Sequence, residues 1–141
     1  MDFSHLQKLD IKDKTARYSF YQISDEPTLI LRPANEANKQ YFNAVLSKSR
    51  KNVRAIQAGH VNQSMIAESR NKDRELYPSF VVVGWENVVD SQGEEVPFSS
   101  EACRDFLNAL PDWLFDELRT FAAKSSNFAE DRVDAGEVAG N

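Results

Sequence analysis

The chain has 141 residues, of which 41% are hydrophobic and 28% charged, and a formal net charge of −5. That length gives one domain, two at most, with a modest core, and the composition is that of an ordinary soluble protein. No apolar run approaches the ~20 residues of a membrane span, the opening Met1-Asp2-Phe3-Ser4-His5 lacks the basic-then-apolar order of a secretion signal, and a single cysteine, Cys103, excludes an internal disulfide and fits a reducing cytoplasm.

The first fifteen residues are polar around Phe3, Leu6, Leu9 and Ile11 and are expected to form a flexible N-terminal arm. A single globular domain is expected over residues 16–128, followed by a disordered acidic tail over 129–141. Ala16 to Ile23 alternates and is rich in aromatics, which predicts a half-buried strand. Ser24-Asp25-Glu26-Pro27 marks a turn and Thr28 to Arg32 a second strand, so residues 16–32 read as a hairpin. Two strands alone are marginal in water, so the hairpin needs helices against it or strands from another copy.

The remainder, 33–128, reads as helical. Pro33-Ala34-Asn35 opens the first helix, with Asn35 as candidate cap. Ala37, Tyr41, Ala44 and Val45 share its inner face. Residues 47–60 are basic and polar, and Gly59 predicts a break. A mostly solvated helix is expected from Asn62 to Glu75. Leu76 to Trp85 has two readings: the β-branched run Phe80-Val81-Val82-Val83 favours a strand. The spacing of Leu76, Tyr77, Phe80, Val81, Gly84 and Trp85, with Pro78 near the start, favours a helix, and the helix is preferred. Asp90-Ser91-Gln92-Gly93 is a tight turn, Ser99 or Ser100 caps a helix carrying Ala102, Cys103, Phe106, Leu107 and Leu110, and Pro111-Asp112 starts another lined by Leu114, Phe115, Leu118 and Phe121. The architecture expected is α+β, predominantly helical, with the hairpin packed on a small bundle of short helices. Leu29, Leu31, Tyr41, Val45, Phe80, Val81, Trp85, Phe106, Leu107, Leu110, Leu114, Phe115 and Leu118 are its expected core.

Reactive groups are sparse. His5 and His60 with one cysteine do not make a zinc set, so neither a metal nor a cofactor is expected. Cys103 sits on an apolar helical face and reads as a small core residue rather than a nucleophile. Asp90 to Glu95 lacks the spacing of a calcium loop, and no phosphate-binding Gly-rich loop is present. With no base, nucleophile and orienting group to place together, the chain is expected not to be an enzyme.

Charge is unevenly spread. Residues 48–85 carry seven basic against three acidic groups, net +4, and residues 86–141 carry four basic against thirteen acidic, net −9. The acidic part opposes phosphate backbones, and no nucleic-acid motif is present. The cluster Arg50, Lys51 and Arg54 reads as a solvated face or a docking patch for an acidic partner, and Trp85 and Trp113 as core rings or interface anchors. These five are the candidate partner-binding residues.

Leu29-Ile30-Leu31-Arg32-Pro33-Ala34, Glu36-Ala37-Asn38 and Tyr41-Phe42-Asn43-Ala44 are followed by Arg74-Glu75-Leu76-Tyr77, Gly84-Trp85-Glu86, Asp90-x-x-Gly93, Val96-Pro97-Phe98-Ser99 and Leu110-Pro111-Asp112. In that order they resemble the small tail assembly chaperones of long-tailed, siphovirus-type bacteriophages and prophages, over most of residues 28–141. The resemblance implies a non-enzymatic protein of the host bacterial cytoplasm, absent from the mature virion. It would bind and solubilise the tape-measure protein and help recruit the tail-tube protein, without nucleic acid, membrane or cofactor; self-association stays open. The other readings are a minor tail or tail-completion protein retained in the virion and an acidic phage-encoded regulator of a host protein.

Overall fold

The sheet joins a hairpin near the start of the chain to a strand far along it, with the second strand of the hairpin in the middle. The computed structural model describes residues 1–48 and 63–129. Strand β1 (Ala16–Ser19) pairs antiparallel with β2 (Thr28–Leu31), Tyr18 opposite Leu29 and Ala16 opposite Leu31. Strand β3 (Val82–Glu86) pairs antiparallel with the other edge of β2, placing Trp85 opposite Leu29 and Val82 opposite Leu31. The register shifts between Ile30 and Leu31, where Val83 is the extra residue of a bulge. The chain thus supplies its own third strand to the hairpin.

Four α-helices accompany the sheet among the described residues: α1 (Lys39–Lys48), α2 (Gln63–Phe80), α3 (Ser100–Ala109) and α4 (Asp112–Ala123). The helix-dominant α+β architecture read from the sequence is the one found. Short 3-10 helices cover Ser4–Leu9 and Ser125–Phe128. The first buries none of its residues, and Ile11, just beyond it, is buried.

Phe20, just past β1, and Leu29 and Leu31 of β2 meet Cys103, Leu107, Leu114, Phe115, Leu118 and Ala122 from α3 and α4 in one core, with Tyr77 of α2 inside it. Aromatic edges fix the packing: Phe20 to Phe106 at 5.6 Å, Tyr77 to Phe115 at 5.5 Å and Tyr41 to Tyr77 at 5.9 Å between ring centres. Of the expected core, Val45, Phe80, Trp85 and Phe106 are half-buried and the other nine are buried.

Three expected elements are corrected. The first strand ends at Ser19, because Phe20 already turns, its N–H bonded to Pro27 O at 2.9 Å. The first helix begins at Lys39 rather than at Pro33, and its cap is Asn38 rather than Asn35. Asn38 is fully buried; its Oδ1 accepts the Tyr41 N–H at 3.3 Å and its Nδ2 donates to Phe80 O at 2.8 Å. One side chain therefore satisfies an unpaired donor at the start of α1 and an unpaired acceptor at the end of α2. Asn35 instead closes an Asx turn onto Ala37 N and ties the segment to Ala123 O and Ser125 Oγ at 3.0 and 3.1 Å.

The helix preferred for Leu76 to Trp85 is likewise only half right. Helix α2 runs through Pro78, stops at Phe80, and the chain enters β3 two residues later. Three consecutive valines disfavour further helix, and β2 offers them a pairing edge that local spacing does not reveal. Val81 O accepts from Arg32 N at 2.7 Å, so the switch is stitched to the strand it joins.

Beyond β3 the turn at Asp90 to Gly93 forms as expected. Asp90 Oδ1 accepts the N–H groups of Gln92 and Glu94 at 2.9 and 3.0 Å, and Gly93 takes a φ of +82°. Ser99 caps α3 by accepting the Ala102 N–H at 3.0 Å, and Pro111 precedes α4.

Candidate interaction surface

Helices α2 and α4 face each other across a ladder of charges. Arg70 grips Asp116 with Nε and one terminal nitrogen, the latter at 2.8 Å. Arg119 reaches Asp116 at 3.1 Å and Asp73 at 2.8 Å, and Asp73 accepts the Tyr41 hydroxyl at 2.7 Å. Arg74 bonds Asp112 at 2.8 Å, stacks over the Phe115 ring at 4.7 Å, and donates to Leu107 O and Leu110 O at the end of α3. The Arg70 and Arg119 partners hold the Asp116 carboxyl below its ordinary range, with the Arg70 hydrogen bond the larger cause. No buried side-chain polar atom among the described residues lacks a partner. Charges paired with one another in this way form a clasp holding two helices.

Burial pushes the Cys103 thiol up to about 12, so it stays protonated and unreactive. Among the described residues no group of three histidine, cysteine or acidic side chains could hold a metal ion. An open groove of about 870 Å³ lies between α1, α2 and α3, lined by Ala44, Ser47, Leu76, Phe80 and Arg104 among others. The guanidinium of Arg74 on its wall is already taken up by the clasp. No helix among the described residues is long and apolar enough to cross a membrane.

The five candidate residues separate. Arg50, Lys51 and Arg54 lie outside the described residues. Trp85 is half-buried at the sheet edge, its Nε1 donating to Val96 O at 2.8 Å and its ring 5.2 Å from Phe98. Trp113 is 56% exposed on the first turn of α4. The structure does not bring these two together.

A residue the sequence reading did not single out is more exposed still. Tyr21 is 77% exposed in the β1–β2 loop. The ring of Tyr18 lies 5.1 Å from Phe121, and Gln22 Nε2 reaches Glu117 Oε2 at 3.3 Å. Over this stretch the β1–β2 loop therefore runs antiparallel to α4. Tyr21 lies in the turn beyond β1, so strand alternation does not predict its exposure.

Fold and surface thus define a small helix-dominant α+β domain with a charge clasp between α2 and α4 and a few large apolar side chains, Trp113 and Tyr21 among them, left exposed. The model of the YdaY prophage protein family matches residues 36–141, well over half the chain, and the protein belongs to that family. The match takes in α1 through α4 and β3, and leaves the β1–β2 hairpin outside it. No curated protein and no solved structure matches the chain.

Proposed function

We propose that this prophage protein is a tail assembly chaperone. It binds the tape-measure protein before the tube surrounds it, keeps it soluble, and helps recruit tail-tube subunits. It acts in the host cytoplasm without turnover of any substrate and leaves before the particle is complete. The observation that carries the reading is the set of large apolar side chains left outside a well-packed domain: Phe3, Leu6, Leu9, Tyr21, Ile66 and Trp113. Such groups suit protein contact.

The residues behind the resemblance also support it, because they fold as one unit. Gly84-Trp85 lies in β3, the Asp90–Gly93 turn reverses the chain, and Val96 and Phe98 return to hold the Trp85 ring before Ser99 caps α3. A tape measure awaiting its tube exposes long apolar helical stripes, and a protein that binds only that state lowers its free concentration and with it aggregation, by mass action.

The test is co-expression of the full chain with the tape-measure protein of the same prophage. The tape measure should become soluble and co-purify. If it stays insoluble with this chain folded and in excess, the reading fails. Finding the chain in purified particles would instead favour a minor tail or tail-completion protein.

A further inference from the structure

We propose that the groove between α1, α2 and α3 binds an extended acidic segment of another protein. Its floor is apolar, with Leu76 buried and Phe80 half-buried at the end of α2. Its rim is polar and exposed: Asn71 and Ser79 stand on α2, Arg104 and Asn108 on α3. Among the described residues, none of these four side chains has a hydrogen-bonded or ionic partner. The clasp on the neighbouring side of α2 differs, because its arginines are spent on Asp112 and Asp116.

The rim favours an extended chain. A helix spends its own N–H and C=O groups internally and would leave the two amides and the hydroxyl unanswered. An extended chain carries both groups free at every residue, and side-chain amides can donate to one and accept from the other. Asn71 and Ser79 sit two turns apart on α2, about 12 Å, which is the length of roughly four extended residues. Alternate side chains of such a segment would point down onto Leu76 and Phe80 and outward to the rim.

Charge selects the segment. Among the described residues the groove carries two guanidiniums, Arg74 and Arg104, against the carboxylate of Glu75, on a chain whose net charge is −5. Arg74 is held by Asp112 and Glu75 has a partner of its own, so Arg104 is left to meet an incoming Asp or Glu side chain. A Lys- or Arg-bearing segment would meet a like charge there instead. None of the exposed apolar side chains offered to the tape measure lines the groove, so the site does not rest on the chaperone reading.

The probe is the dye-labelled peptide Ala-Leu-Asp-Leu-Asp-Ala, capped at both ends, titrated into the full chain and followed by anisotropy. Binding should saturate, and weaken as salt is raised. Arg104→Glu should weaken it at least about tenfold, and Asn71→Ala or Asn108→Ala at least about threefold. A peptide with Lys in place of Asp, and one N-methylated along its backbone, should not bind. Trp113→Ala should bind the probe as the wild type does. Failure of the wild type to bind overturns the proposal, as does equal binding of either altered peptide. Equal binding by Arg104→Glu, with thermal unfolding matching the wild type, overturns it too. So does a gain of about tenfold on replacing Glu130→Gln, Asp131→Asn, Asp134→Asn and Glu137→Gln together in the full chain, because the groove would then belong to the chain's own acidic end. Self-association that Arg104→Glu abolishes would assign it to a second copy and overturn it likewise.

Discussion

Trp85 and Trp113 place the same side chain in opposite settings. Around Trp85 every feature of the ring is used: the N–H goes to Val96 O, Phe98 meets it edge-on at 88°, and Phe106 closes the far side at 5.8 Å. Trp113, by contrast, keeps 56% of its surface open to water. The first indole fixes how β3 and the returning 96–99 segment meet, so its placement is explained by stability. The second contributes little that a smaller residue would not, and a large aromatic kept in water is better explained by what it touches outside the chain.

The interior side of that contrast predicts the largest effects. Asp73→Ala strips the buried carboxylate from both Tyr41 and Arg119 and leaves the Tyr41 hydroxyl and the Arg119 Nε without their acceptor. It should cost about 3–5 kcal/mol in chemical denaturation; a loss under about 1 kcal/mol would show the clasp to be superficial. Trp85→Ala should cost about 3 kcal/mol by the same measurement, since it empties a packed corner and orphans a carbonyl. A third check uses pH. The Cys103 thiol ionises at about 12 when folded against an ordinary value of 9.0, so the unfolded chain gives up its proton first as pH rises. The stabilisation is complete below pH 9.0 and is lost above it, at roughly 1 kcal/mol per pH unit, until about 12. Subtracting the stability of Cys103→Ala from that of the wild type across that range isolates the term, and a flat difference would contradict burial of the thiol. Ser99→Ala removes the cap of α3 and should cost about 1 kcal/mol. Last, Trp113→Ala should change stability by no more than about 0.5 kcal/mol. A cost equal to that of Trp85→Ala would erase the contrast.

Much of the inner architecture could be read from local pattern. Leu114, Phe115 and Leu118 repeat at helical spacing, Ser99 precedes an apolar helix, and Asp90 to Gly93 has the composition of its turn, so each forms where expected. Phe20 and Tyr77 are fully buried yet were not in the expected core, because one follows the end of a strand and the other sits beside a helix-interior proline. The third strand depended on pairing between segments about fifty residues apart, which no local window contains. Asn38 could not be distinguished from Asn35 as a cap, since the choice is made by Phe80 O arriving from the end of α2. Of the exposed aromatics, Trp113 could be read as flanking the Leu114–Leu118 stripe, whereas Tyr21 lies in a turn whose seat against α4 depends on Gln22 meeting Glu117.

Side-chain oxidation footprinting of the co-purified complex with the tape-measure protein reports on both tryptophans at once. Trp113 and Tyr21 should lose most of their reactivity relative to the free chain, while Trp85 stays as it was. Trp113 oxidised equally in the complex and alone, with protection appearing instead along the groove between α1, α2 and α3, would contradict the assignment of the exposed apolar side chains to the partner.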